Sequence, residues 1–367
     1  MDFTYTSEQE MLRDSLGKLL AQAYGFDARQ KFVRSSDSRC EAVWRQFGQM
    51  GLLALPFAES QGGIGGSFSD LVAIGELLGR YLVVEPYVSS ILLGGSALSL
   101  SDATADQALL RDVVAGDVEV ALAHEEAHGI GPVERMTCTL RAVDDGLRLD
   151  GTKLLVLGGG HAGTLIVSAR QADRLALVRV DPAQPGVTVT GYRTIDGRHA
   201  ATVRFEGVRL SAAGLLLDDA EDRLDAVLRR ALLCLSAEAV GAMQALLEAS
   251  AGYAATRKQF GVPINSFQAV AHRLADMKIA YSKARALLLY TTALLEAGEG
   301  GARDVSLLKA QVSRLGRIVG ESAVQVHGGI GMTDELSIGH YLKRILSIES
   351  MFGNTDYHLR RVGAAAS

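Results

Sequence analysis

The sequence predicts an α+β chain in three parts, helical at both ends with a small β-barrel between. Two observations carry this. Apolar residues recur at helical spacing up to about residue 117 and again from about 213, while 118–212 breaks into short runs of β-formers separated by turn residues. A third is the length of the C-terminal helical patterns, joined by short glycine breaks, which argues for an antiparallel four-helix bundle. The 367 residues leave room for two or three packed units, read here as domains 1–117, 118–212 and 213–367.

In the first segment Ser7 and Glu10 offer a capping box, and Met11, Leu12, Leu16, Leu19 and Leu20 follow at helical spacing. A second helix fits 42–50, ended by Gly51, and the loop Gln61-Gly-Gly-Ile-Gly-Gly66 breaks the pattern. Further helices fit 69–82 and 87–98. Strands are expected at 118–123, 137–142, 147–149, 165–168, 175–179, 187–190 and 201–205, with turns at Asp144-Asp145-Gly146 and Gln184-Pro185-Gly186. Long helices are expected over 220–255, 266–296, 304–326 and 338–351.

Composition excludes several classes. Net charge is −5 with no basic arm or face, so nucleic acid is not an expected partner. Cys40, Cys138 and Cys234 are scattered, with no CxxC or Cys/His metal spacing, which points to a reducing compartment, a cytoplasmic location and no metal site. The N-terminal ten residues carry acids and no apolar core of a signal peptide. The apolar stretch 231–255 is long enough to span a bilayer, but Glu238, Gln244 and Glu248 within it favour a buried bundle helix over a membrane contact.

Two strings carry chemistry. In Arg257-Lys-Gln-Phe-Gly-Val-Pro-Ile264, Arg257 presents a planar fork of donors suited to a pyrophosphate, and Gln268 follows across the turn made by Gly261 and Pro263. In Gln325-Val-His-Gly-Gly-Ile-Gly-Met332, Gly328, Gly329 and Gly331 let backbone N–H groups approach an anion, and Gln325 adds an amide. Either string alone reads as a helix end or a breaker loop; both together, about 65 residues apart, point to dinucleotide contact. The first resembles the R-x-x-F-G…Q signature of acyl-CoA dehydrogenases and the second that family's Q-x-x-G-G-x-G signature. Glu8-Gln9, Leu12-Arg13-Asp14, Trp44, Gly51-Leu52 and Gly62-Gly-Ile-Gly65 agree, so the resemblance spans essentially the whole chain. It implies the family's fold, FAD as cofactor and an oligomer, usually a pair of dimers. It also implies that Arg257, Phe260, Gln268, Gln325, Gly328 and Gly329 reach the ADP part of an FAD bound mainly by a neighbouring subunit.

The chain departs from the family at the reacting end. Where the family's flavin-binding strand reads T-E-P-x-A-G-S-D, this chain has Ala123-His-Glu-Glu-Ala-His-Gly129, with His124 for the hydroxyl and Glu126 for the proline. Where the family has W-I-[ST]-N, Val156-Leu-Gly-Gly-Gly160 stands. The family's reaction removes an α-proton with a carboxylate and passes a β-hydride to the flavin. The usual position of that Glu holds Phe352 or Gly353, and the alternative position holds Ala231. Glu238 is the fallback base; it lies roughly 10 Å along the helix from Ala231, and a buried carboxylate held inside the bundle is the favoured reading of it. Glu349, Asp356 and His327 are favoured as paired, solvated or backbone-pinning groups, and Thr355 is a candidate flavin contact.

The string Phe352-Gly-Asn-Thr-Asp-Tyr-His358 and the string Ala237-Glu-Ala-Val-Gly-Ala-Met243 are similar to the small subunits of pimeloyl-CoA dehydrogenases and to non-catalytic partners in heteromeric steroid side-chain acyl-CoA dehydrogenases. That resemblance implies an α2β2 assembly desaturating an acyl-CoA thioester, with the base and the flavin-facing tryptophan on a second chain and an electron-transfer flavoprotein as a candidate acceptor. The rival expectations are a self-sufficient homo-oligomer with Glu238 as base, and a flavin-free structural or regulatory subunit.

Overall fold

The computed structural model describes residues 5–35, 39–131 and 133–364. Residues 1–4 of the acidic N-terminal stretch, and 365–367 at the end of the third segment, lie outside the described residues. The helices are α1 (Ser7–Ala23), α2 (Phe26–Arg34), α3 (Glu41–Gln49), α4 (Phe68–Arg80), α5 (Ser96–Leu98), α6 (Thr104–Ala115), α7 (Glu221–Thr256), α8 (Gln268–Glu296), α9 (Ala302–His327), α10 (Ser337–Ser350) and α11 (Thr355–Ala364). The expected helix over 87–98 is present, but Tyr87–Gly95 is wound as a π-helix and only its last three residues, α5, are α-helical. The strands are β1 (Val120–Ala123), β2 (Thr139–Val143), β3 (Gly146–Leu157), β4 (Thr164–Gln171), β5 (Arg174–Val180), β6 (Val187–Arg193), β7 (His199–Leu210), β8 (Leu215–Leu217), β9 (Lys258–Gln259) and β10 (Val262–Pro263). The fold is that of the resemblance: helices, then a central sheet, then helices.

The contacts divide the chain into two compact units, residues 1–31, 67–83 and 232–367, and residues 32–66 and 84–231. The second unit is organised by one eight-stranded sheet in the order β6-β7-β3-β2-β4-β5-β8, with β1 parallel to β4. Its inward residues form a single apolar core, in which Leu149, Val167, Val178, Val203 and Phe205 are at most 2% exposed. The short runs of β-formers expected in this segment supply that core, with β1, β4 and β5 buried along most of their length.

The first unit is helical. Thr6, not Ser7, caps α1: its hydroxyl accepts from the Gln9 N–H and its own N–H donates to the Gln9 side chain. The T-x-x-Q register and the S-x-x-E register differ by one residue and satisfy the same rule, so sequence alone could not choose between them. Buried Glu76 of α4 gathers Arg13 of α1 (2.8 Å), Arg285 of α8 (3.0 Å) and the Tyr5 hydroxyl (3.1 Å). The most apolar stretch of α7 is long enough to cross a membrane, yet 78% of it is buried within the fold, as a bundle core helix requires.

α4 and α7 meet backbone to backbone. A Cβ placed on Gly79 would lie 1.8 Å from the Glu238 carbonyl oxygen, and one on Gly241 would lie 1.8 Å from that of Glu76. Gly241→Ala is therefore expected to destabilise the chain by about 1–3 kcal/mol, against a helix-propensity gain of up to ~1 kcal/mol from alanine. Urea unfolding midpoints compare the two; a midpoint equal to or above the parent's would show that the helices separate without cost.

Candidate functional site

Two surface features at the end of the helical unit gather the residues singled out for dinucleotide contact. α7 stops at Thr256, and Arg257 follows with its N–H bonded to Tyr253 O (2.8 Å). The β9–β10 hairpin then turns at Phe260 and Gly261, whose φ values of 54° and 85° are left-handed. Such a backbone costs a non-glycine residue of order 1 kcal/mol or more, and here it aims an aromatic ring that is 92% exposed away from the fold. Phe267 meets Phe260 edge-on (6.1 Å, 89°) and leads directly into Gln268, the first residue of α8. Arg257, Phe260 and Gln268 thus flank one hairpin, all exposed, and the Arg257 guanidinium has no ion-pair partner among the described residues.

The second feature is the glycine turn after α9. Gly328 has φ of 68°, and a Cβ on either Gly328 or Gly329 would meet nothing, so both present open backbone to solvent. Gly331 is buried and packs against His327 and Val324. Gln325 is exposed two residues before His327. The link between the two features is a residue the sequence reading passed over. Tyr253 stacks on His327 with ring centroids 4.5 Å apart and planes at 26°, and His327 Nδ1 is 2.8 Å from Ala323 O. Tyr253 stands one helical turn before Arg257 and His327 adjoins Gly328, so this stack brings together motifs far apart in sequence. Its helical spacing from Arg257 was the available signal. An exposed guanidinium, an exposed aromatic, two amide side chains and an open glycine backbone suit the ADP half of a dinucleotide.

The places at which a base is expected hold none. Phe352 is 5% exposed with φ of 53°, and a Cβ on Gly353 would fall 2.2 Å from the Tyr357 ring. Two buried groups pin this turn. Lys309 Nζ donates to Glu349 O (3.0 Å) and Gly353 O (3.2 Å), and His358 Nε2 lies 3.2 Å from Phe352 O with Nδ1 3.2 Å from the Ser306 hydroxyl. Burial, with Lys309 and Arg361 nearby, lowers the His358 pKa to about 3, so the ring is neutral, donating from Nε2 and accepting at Nδ1. Ala231 is fully buried. Glu238 is fully buried and both its oxygens are gripped by Arg344, at 2.8 and 2.7 Å. A carboxylate held this way faces a guanidinium rather than a substrate carbon. Thr355 opens α11 and donates to Glu349 (3.3 Å), and Lys343 binds Asp334 (3.0 Å) rather than Glu349. Near Ala231, a mostly apolar cavity of about 310 Å³ is lined by Ser96, Leu100, Ala226, Val227 and Arg230, with Asp222 as its one carboxylate.

In the sheet unit, the segment aligned with the family's flavin strand turns inward. Lys153 of β3, wholly buried, donates to Glu126 (2.8 Å), to His124 O (3.1 Å) and to Ser168 Oγ (3.2 Å). His124 Nδ1 is 2.8 Å from Ser168 Oγ, and burial, then the Lys153 charge, lowers its pKa to about 3. Burial works to raise the Glu126 carboxyl, but the Lys153 charge and the Thr137 donors outweigh it and leave it below the usual range. Lys153 was missed in the sequence; period-two counting from Leu147 and Leu149 does put it on the inward face.

Comparison with known proteins gives a consistent result. Residues 6–117 match the family model of the acyl-CoA dehydrogenase N-terminal domain, and residues 225–367 that of the acyl-CoA dehydrogenase C-terminal domain. The chain is 28% identical to acyl-CoA dehydrogenase FadE27 of Mycobacterium tuberculosis (strain ATCC 25618 / H37Rv), over 99% of this chain and 98% of that protein. It is 26% identical to benzylmalonyl-CoA dehydrogenase of Aromatoleum aromaticum (strain DSM 19018 / LMG 30748 / EbN1), over 94% of each. Among solved structures it is similar to a chain of the ChsE4-ChsE5 complex from Mycobacterium tuberculosis, with a TM-score of 0.91 and 27% identity, covering 100% of this chain and 99% of that one.

Proposed function

Because the chain belongs to the acyl-CoA dehydrogenase family, FAD-dependent oxidoreductases acting on CoA thioesters, we propose that it is the non-catalytic subunit of a heteromeric member. In this reading it holds the ADP moiety of an FAD whose ring lies on a second chain, and that chain supplies the base. The observation that carries the proposal is the contrast between its two ends. Arg257, Phe260, Gln268, Gln325, Gly328 and Gly329 stand exposed, whereas Phe352, Gly353 and Ala231 leave no carboxylate at the base positions. Bound FAD would accept the hydride; this chain's part is to anchor phosphates, with Arg257 as the fork and the glycine turn as the cradle. Similarity to a chain of a two-component complex supports a partner subunit; in this reading the assembly is α2β2, with an acyl-CoA as substrate and an electron-transfer flavoprotein as the candidate acceptor. The division 1–117, 118–212 and 213–367 would then separate the helical domain, the sheet domain and the bundle that carries the phosphate anchor.

The test is Arg257→Ala in the assembled complex. Losing one charge-assisted contact to the pyrophosphate is expected to weaken FAD retention by about 1.5–3 kcal/mol, roughly 10- to 150-fold, with both chains still folded. The same preparation without its partner is expected to dehydrogenate no acyl-CoA with an artificial acceptor. Unchanged flavin occupancy at limiting FAD, or robust turnover by the pure chain, would overturn the assignment.

A further inference from the structure

The loop between β1 and β2 leaves and rejoins the sheet along the same edge of β4. Ala123 pairs with Val167 and Thr139 with Arg170, so that edge of β4 has a gap at Ser168 and Ala169. Side chains fill it. All three protons of the Lys153 ammonium are directed at acceptors within the chain: Glu126 Oε1, His124 O and Ser168 Oγ. The Glu126 carboxylate is saturated too, with Oε1 also taking the Cys138 N–H (3.0 Å) and Oε2 taking both the N–H and the hydroxyl of Thr137 (2.6 Å each). The backbone carbonyls are occupied as well. The carbonyl of His124 accepts from Lys153, that of Glu125 from the Leu154 N–H (2.8 Å) and that of Glu126 from the Gly129 N–H (2.8 Å). A flavin pyrimidine edge presents two carbonyl oxygens and an N–H and needs donors and an acceptor turned outward to meet them. Here the three backbone carbonyls of 124–126 and both Glu126 carboxylate oxygens are already taken within the chain, which leaves the flavin N–H no unpaired backbone acceptor on this segment, and a buried ammonium sits behind them.

We propose that this end of the sheet is closed to a flavin ring and that Lys153 is the residue that closes it. The inference rests on the reading that the chain shares an FAD, and it deepens that reading by giving the reason why the ring lies on the partner. It makes Lys153, Glu126, His124 and Ser168 a single plug that completes the broken edge of β4.

The experiment titrates the purified chain with FAD, following the visible flavin band and counting bound flavin by equilibrium dialysis. The parent is expected to take up no flavin on its own. Lys153→Met/Glu126→Gln removes both buried charges together and frees His124 O and Ser168 Oγ; it is expected to bind flavin at least about tenfold more tightly than the parent. One bound flavin per parent chain overturns the closure, as does a folded double variant that binds no better than the parent. If the double variant does not fold, the parent's stoichiometry decides alone: none supports the closure, and one per chain overturns it. Failure of the shared-FAD reading shows differently, as flavin retention in the complex that ignores Arg257→Ala whatever stands at 153.

Discussion

Arg344→Met is expected to destabilise the chain by about 3–5 kcal/mol, because it removes the guanidinium that grips both oxygens of the buried Glu238 carboxylate. The pair joins α7 to α10 through two parallel hydrogen bonds of 2.8 and 2.7 Å, with both side chains at most 2% exposed. Removing both charges together, as in Glu238→Leu/Arg344→Met, is expected to recover most of the loss, since an apolar pair carries no desolvation penalty. Urea unfolding of the three proteins decides it. A single variant as stable as the parent would mean that Glu238 reaches water or another partner in the folded state. The comparison also separates the roles considered for Glu238: a structural carboxylate loses stability on substitution, whereas a displaced base loses turnover with the fold intact.

Acid should loosen the chain well above the pH at which its carboxylates titrate. His124 and His358 are buried, and each has its pKa lowered from 6.5 to about 3. Between those limits the unfolded chain binds protons that the folded chain refuses. Stability is therefore full above about pH 6.5 and falls as the pH drops toward 3, by up to ~1.4 kcal/mol per pH unit for each histidine. From pH 7 to pH 5 the two together are expected to remove on the order of 3–4 kcal/mol. His358→Gln should flatten about half of that slope. A urea midpoint that does not move between pH 7 and pH 5 would contradict the buried, neutral state of both rings. The acid-sensitive groups lie in the two places that depart from the family pattern, the pinned turn at Phe352 and the plug at Lys153.

The three-part order was legible because its signals are long. α7 to α10 each run over several turns, and the strands are runs of β-formers set off by short turns. α2 and α11 were not read because they are largely polar and the one residue each buries, Arg29 and His358, is not apolar. The π-helical winding of Tyr87–Gly95 was hidden because an apolar run looks the same whether the turn holds 3.6 residues or more. Arg257 and the glycine turn could be read as motifs; Tyr253, one helical turn before Arg257, carried only its spacing as a signal, and its stacking partner His327 far along the chain left none. The Glu238–Arg344 pair was half visible: an acid in an apolar stretch signals a buried partner without saying which.

In the proposed reading, the Tyr253–His327 stack makes the helical unit and its cofactor interdependent in a way that neither motif would alone. A molecule held at once by Arg257 and by the glycine turn touches the ends of α7 and α9, two helices whose contact points are more than 70 positions apart along the chain. It therefore acts as a clasp across a long loop of the polypeptide. At a hundredfold excess over its dissociation constant such a ligand adds about 2.7 kcal/mol to the work of unfolding. In that reading, opening the bundle and releasing the nucleotide become the same event seen from two sides.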